Sequence, residues 1–268
     1  MKKLCFSTLG CADWGLDQIL ALAKQYDISA LEIRGMDGVM DNRQITALSE
    51  SQTEDTLRAM QSNGVKPWVL GTSCAFHDEG KWRAAVEEGM ACIDIASRMD
   101  IPYIRVFGNK LVGQTTLEQE NCYERVAKGI AELCRYASNT TVSVLLEVHG
   151  DYNCIETLDR ITNQLTDCPN FGLIWDIAHT AAYRDRWNEF YLHFKSLIRH
   201  IHVKDRTITP HVLTLPGEGE LPILDITQAL LADGYDGYFS LEWEKKWHPE
   251  LPELPQALSR FVSLMNRE

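Results

Sequence analysis

Four residues in the second half of the chain have the chemistry to hold a divalent cation. They are Glu147 in Leu-Leu-Glu-Val-His, Asp176 in Ile-Trp-Asp-Ile-Ala-His, His202 in His-Ile-His-Val-Lys, and Glu242 in Ser-Leu-Glu-Trp-Glu. Each stands where a short apolar run gives way to polar residues. Three carboxylates and an imidazole suit Mn²⁺, Mg²⁺, Co²⁺ or Zn²⁺, and the absence of thiolates argues against a structural zinc site. Brought together without a cation, the three carboxylates would repel one another and rise in pKa. The chemistry expected is therefore that of one divalent metal ion.

Each residue also has an ordinary structural role open to it. Glu147 suits an ion pair with Arg105, and Asp176 suits a helix cap. His202 suits a hydrogen-bonded core position, and Glu242 suits solvent, as does Glu244. Recurrence on four successive apolar runs is what favours the metal.

Those runs must be positioned by something. Short β-rich segments alternate with amphipathic stretches along the whole chain. The segments are residues 4–9, 30–34, 66–73, 103–108, 142–149, 171–176, 198–204 and 237–243. The stretches between them carry apolar residues at helical spacing, most clearly at 82–98 and 117–137. Several strands are apolar without alternation, as expected when helices cover one face of a parallel sheet and side chains fill the other. Eight βα units over 268 residues match the size of a (β/α)₈ barrel. An open doubly wound sheet would want a glycine-rich phosphate loop after its first strand. Here that turn reads Leu-Gly-Cys-Ala-Asp-Trp at residues 9–14. No linker or low-complexity segment interrupts the rhythm, so a single TIM-barrel domain over residues 1–268 is expected.

Bulk composition narrows the partners. The net charge of −12 disfavours nucleic acid, whose backbone is held by Lys and Arg. No stretch is long and apolar enough for a membrane span. Lys2 and Lys3 precede an apolar run too short for a secretory signal, which reads as the first strand. Eight scattered cysteines with no CxxC pair read as reduced thiols of a cytoplasmic protein, with Cys74 the best placed for any function.

The motifs Leu-Glu147, Trp-Asp176-Ile-Ala-His179, His202-Val-Lys-Asp205 and Leu-Glu242 resemble the xylose isomerase-like barrel superfamily over the whole chain. That superfamily includes sugar isomerases and epimerases, inosose dehydratases and family 2 AP endonucleases. The resemblance implies that Glu147 and Glu242 ligate the metal and exchange protons with substrate carbon. It implies that Asp176 and His202 only ligate, and that His179 contacts substrate or, in the endonucleases, a second metal. The endonucleases carry further histidines at earlier strand ends. Here those ends read Glu32-Ile-Arg34, Gly71-Thr-Ser73 and Arg105-Val-Phe107. One metal and a small substrate are therefore expected.

The expected reaction is isomerisation or epimerisation of a sugar, sugar phosphate or keto-polyol by proton transfer next to a carbonyl. Lys204, Glu32, Arg34 and His149 are the candidate polar wall of the substrate site. Trp14, Phe107 and Trp243 are candidates for an apolar face. Residues 243–247 leave open a homo-oligomer contact or a cover over the site. A keto-inositol or 3-keto-sugar dehydratase is the main alternative on the same ligands. An AP endonuclease-type phosphodiesterase and a non-catalytic sugar-binding barrel are the others.

Overall fold

The computed structural model describes residues 2–267. Eight parallel strands close into a barrel: β1 Lys3–Ser7, β2 Ala30–Ile33, β3 Lys66–Ala75, β4 Tyr103–Phe107, β5 Ser143–Glu147, β6 Phe171–Asp176, β7 Ile198–Val203 and β8 Tyr238–Leu241. Each pairs with its neighbours in chain order, and β1 closes on β8 with Lys3 opposite Tyr238 and Phe6 opposite Leu241. Eight helices follow: α1 Leu16–Gln25, α2 Thr53–Ser62, α3 Trp82–Arg98, α4 Thr116–Tyr136, α5 Ile155–Thr162, α6 Trp187–Phe194, α7 Ile223–Ala232 and α8 Leu254–Met265. The expected (β/α)₈ architecture is the one observed. Among the described residues, no helix is long and apolar enough to cross a membrane.

The helix ends follow local chemistry. Thr115 caps α4 by accepting from the Glu118 amide, while Glu118 reaches back to the Thr115 amide. That reciprocal pair satisfies donors no helical carbonyl reaches. Pro255 near the start of α8 is tolerated because the first-turn amides have no intrahelical partner.

Side chains inside the barrel are stacked in layers, and the layers decide where chemistry is possible. At the strand N-terminal end, Trp68 packs against Tyr103 and Tyr238 with ring centroids 5.3 and 4.9 Å apart. Above them Val69, Leu145 and Ile174 form a second apolar contact. These layers close the floor of the barrel. Above them the interior turns polar, with buried Glu32, Arg105, His200, His202, Asp176, Glu147 and Glu242.

The strand boundaries differ from the sequence expectation at their ends. β5 stops at Glu147, β7 at Val203 and β8 at Leu241. His149, Lys204 and Glu242 thus stand just beyond the last strand residue, where the chain is leaving the ladder. A 3₁₀ turn over Thr8–Cys11 takes the place of the end of the first expected strand. A short antiparallel ribbon pairs Asp205 with Thr214 and Arg206 with Leu213, beyond β7. Asp205 pins the loop behind that ribbon by accepting from the Gly217 and Gly219 amides.

All eight cysteines are free thiols, and Cys74 is wholly buried with burial raising its pKa well above the usual range. It has no access to a substrate, which corrects the suggestion that it is the cysteine best placed for function.

Candidate metal centre and substrate cavity

Register brings the four candidate ligands together. Asp176 on β6 pairs with His202 on β7, and His202 pairs with Ser240, two residues before Glu242. Alternate residues of a strand point to one face, so Ser240 and Glu242 share the inward side with His202. One atom each from Glu147, Asp176, His202 and Glu242 lies within 4.8 Å of the others. His202 Nδ1 is 3.5 Å from Glu242 Oε2, 3.7 Å from Asp176 Oδ2 and 3.9 Å from Glu147 Oε1. His202 Nδ1 and Asp176 Oδ2 are buried without a hydrogen-bond partner. Lys204 Nζ meets two of the carboxylate oxygens from one side, but His202 Nδ1 has no hydrogen-bond partner among the described residues, and three carboxylate oxygens and an imidazole nitrogen facing one another fit a hard or borderline divalent cation.

Each carboxylate gives one oxygen to a structural partner and turns the other toward the cluster, where Lys204 also reaches those of Glu242 and Asp176. Arg105 Nη1 donates to Glu147 Oε2 and to Glu242 Oε1, both at 3.0 Å. Asp176 Oδ1 accepts from the amides of Ala178 and His179 at 2.8 and 3.1 Å. The remaining oxygens, Glu147 Oε1, Glu242 Oε2 and Asp176 Oδ2, face His202. The ion pair and the cap considered from sequence are therefore both present, and neither competes with ligation.

The charges are balanced unevenly. Burial and the neighbouring Glu242 push Glu147 up to about 8. Burial also acts on Glu242, but Lys204, His202 and Arg105 outweigh it and hold Glu242 well below the usual carboxylate range. Asp176 is lowered in the same way, by Lys204 and His179 against burial. Burial opposes protonation of His202, yet Glu32 and Glu242 raise it well above the ordinary imidazole value.

The candidate wall residues divide into two groups. His149 lines a cavity of about 260 Å³ together with Arg34, Ser73, Phe107, Glu147 and Glu242. His179 packs on His149 with ring centroids 4.1 Å apart. Burial, aided by His179, lowers His149 to about 3, and burial lowers His179 as well, so both rings are neutral near pH 7. Glu147, His149 and His179 form a further grouping with metal-ligand spacing.

Glu32 and Lys204 stand elsewhere than expected. Glu32 is fully buried beneath the cluster, with Oε2 at 2.8 Å from His202 Nε2 and 3.4 Å from His200 Nε2. It does not reach the cavity wall, because β2 places it one layer below the strand ends. Lys204 Nζ lies 2.7 Å from Asp176 Oδ2 and 2.6 Å from both Glu242 Oε2 and Glu244 Oε1. Its charge is already met by carboxylates. Glu244, expected in solvent, is half-buried and lines the cavity. Trp243 is buried and donates to the Pro252 carbonyl, so it offers no face to a ligand, whereas Trp247 lines the cavity.

Two residues carry more than the sequence reading gave them. Arg105 holds both glutamates, not Glu147 alone. His200 lies fully buried on the inner face of β7, two residues before His202. Strand periodicity was the available signal, since residues 200, 202 and 204 must share a face.

The family model for the xylose isomerase-like TIM barrel matches residues 20–263. Fructoselysine 3-epimerase of Shigella flexneri is 26% identical over 195 residues, covering 70% of this chain and 69% of that protein. Among solved structures, the probable 3-DHS dehydratase AsbF of Bacillus anthracis superposes with a TM-score of 0.79 at 15% identity, covering all of both chains. The IOLI protein, solved with a binding zinc atom, gives a TM-score of 0.79 at 19% identity, covering 98% of this chain and 96% of that one. The chain belongs to the xylose isomerase-like TIM barrel family.

Proposed function

We propose that the chain is a sugar isomerase or epimerase that depends on one divalent metal ion. The observation that carries this reading is the convergence of two glutamates, an aspartate and a histidine at one barrel end, with both glutamates lining a single cavity. The likeness to fructoselysine 3-epimerase supports the same chemistry. The barrel end also agrees, since barrels of this kind carry their chemistry at strand C-termini.

Glu147 Oε1, Asp176 Oδ2, His202 Nδ1 and Glu242 Oε2 would hold the ion. A bound divalent ion supplies Lewis-acid polarisation of a substrate carbonyl and lowers the barrier to removing the adjacent proton. The chain's own part is proton transfer. Glu147 ends β5 and Glu242 follows β8, with β6 and β7 between them, and a substrate in the cavity they both line would have a carboxylate from each. One takes the proton from carbon and the other returns a proton to the opposite face or the neighbouring carbon. Arg105 fixes both carboxylates from behind. His149, neutral and at the wall, is suited to hold a sugar hydroxyl. The substrate class is a small carbohydrate or polyol.

The test uses metal-stripped chain reloaded with Mn²⁺ and a ketose panel in deuterated water. Deuterium is expected at carbon next to the carbonyl, with products separating isomerisation from loss of water. Glu147→Gln and Glu242→Gln are each expected to cut turnover by about 10²–10⁴-fold. Full turnover with full metal content in both variants would end the reading.

A further inference from the structure

Arg34 immediately follows β2 and is only 7% exposed. Its Nη1 donates to the Met40 carbonyl and its Nη2 to Ser73 Oγ, both at 3.0 Å. Both acceptors are uncharged, and no acidic side chain forms an ion pair with Arg34 among the described residues. A guanidinium has five donors in a planar fork. A buried charge of this kind is ordinarily paired.

The surroundings make the missing partner more pointed. Gly71 lies beneath the two arginines, where a Cβ would sit 2.9 Å from Arg34 Cδ and 3.2 Å from Arg105 Nη2. Two guanidinium groups are thus brought together at one glycine. Arg105 is neutralised by Glu147 and Glu242, whereas Arg34 has no carboxylate at ion-pair distance among the described residues, and Glu88, Glu242 and Glu32 act on it only from farther away. Burial and the neighbouring Arg105 lower Arg34 to about 10, which still leaves it charged at neutral pH.

Arg34 and Ser73 line the same cavity as Glu147 and Glu242. In the closed strand order, β2 and β3 lie across the barrel from β6 and β7, which bear Asp176 and His202. A ligand spanning the cavity therefore meets ligating carboxylates on one side and an unpaired guanidinium with a hydroxyl on the other.

We propose that Arg34 and Ser73 form a subsite for an oxyanionic group, so that the substrate is an acidic ketose carrying a carboxylate or a phosphate ester. This rests on the sugar isomerase or epimerase reading for the word ketose, and on the cavity geometry alone for the anion. A guanidinium that lines the cavity and has only two of its five donors engaged keeps donors for recognition of either group. The acidic group would anchor one end of the substrate while its carbonyl lies between Glu147 and Glu242.

The experiment is calorimetric titration of the Mn²⁺-loaded full chain with D-fructose, D-fructuronate and D-fructose 6-phosphate. Wild type is expected to bind at least one of the two acids about tenfold or more tightly than D-fructose, as a charged hydrogen bond would give. Preference for the uronate or for the phosphate identifies which oxyanion the subsite takes. Arg34→Met is expected to bring the ratio of acid to neutral affinity close to one. Ser73→Ala, which removes only a hydroxyl, is expected to lower that ratio by about threefold and covers the case of a poorly folding arginine variant. A wild type with no preference for acid, including one that binds none of the three, overturns the proposal. So does a ratio that survives both substitutions. Arg34-dependent acid binding with no deuterium entering any ketose keeps the subsite and removes the isomerase reading. Deuterium entering D-fructose with no acid preference does the reverse.

Discussion

Glu32 Oε2 lies 2.8 Å from His202 Nε2, on the edge of the ring opposite the nitrogen that faces Asp176, Glu147 and Glu242. A carboxylate on one imidazole nitrogen fixes the ring and makes the other nitrogen a better metal ligand. If His202 holds a metal, Glu32 would act on the site through it. Glu32→Gln keeps the shape but gives up the charge, and its metal affinity is expected to fall by about 10–100-fold. Titration of the metal-free variant with Mn²⁺ checks this. An affinity equal to wild type would show that Glu32 only fills space beneath the histidine.

Metal binding should expel protons. Burial and Glu242 push Glu147 up to about 8, and Glu32 and Glu242 raise His202 well above its ordinary range despite burial. Both groups hold protons near neutral pH when the cation is absent, and a cation must displace them. A raised pKa favours the protonated, metal-free form below it, so metal affinity should climb as pH rises through about 8, with the raised His202 extending the climb. Calorimetry in buffers of different ionisation enthalpy should give different apparent heats. Equal heats in all buffers, with affinity flat across this range, would contradict it.

The convergence of Glu147, Asp176, His202 and Glu242 was readable from sequence because each sits at the end of an apolar run, a one-dimensional signal. The barrel was readable for the same reason, since eight such runs alternate with amphipathic helices. What escaped was depth. Glu32 and Lys204 each stand at or near a strand end beside residues that do line the cavity. A strand end gives a residue's face but not its height in the barrel. Glu32 pairs with Val69, a residue of the apolar floor, so it stands below the cavity. Lys204 turns from the wall because three carboxylates from β6 and the segment after β8 surround its ammonium group. Such long-range pairings have no local signature. The alternatives weighed for Glu147 and Asp176 were likewise not exclusive, since one carboxylate can satisfy two partners with two oxygens.

Lys204 takes oxygens that the metal would also use. Lys204→Met removes that cation and leaves Asp176, Glu242 and Glu244 facing one another. Breaking a buried ion pair from one side costs about 3–5 kcal/mol. The metal-free variant should therefore melt well below metal-free wild type. Added Mn²⁺ should raise its melting temperature more than it raises that of wild type, because the ion then supplies the missing charge. A metal-free variant that melts with wild type would mean that Lys204 does not balance the cluster.

Gly71 offers a way to disturb the arginine pair without touching a charged group. It lies in β3 in a conformation any residue adopts, so alanine meets no backbone strain there. Its Cβ would lie 2.9 Å from Arg34 Cδ and 3.2 Å from Arg105 Nη2, tighter than these groups tolerate. Overpacking of this kind costs about 1–3 kcal/mol in denaturant unfolding. Displacing Arg105 also moves the anchor shared by Glu147 and Glu242, and a small misplacement of reacting groups costs up to about 10²-fold in rate. Gly71→Ala should therefore lose both stability and turnover, with metal content retained. If stability falls by that amount and turnover on an active ketose does not, Arg105 is packing around the glutamates and does not position them for proton transfer.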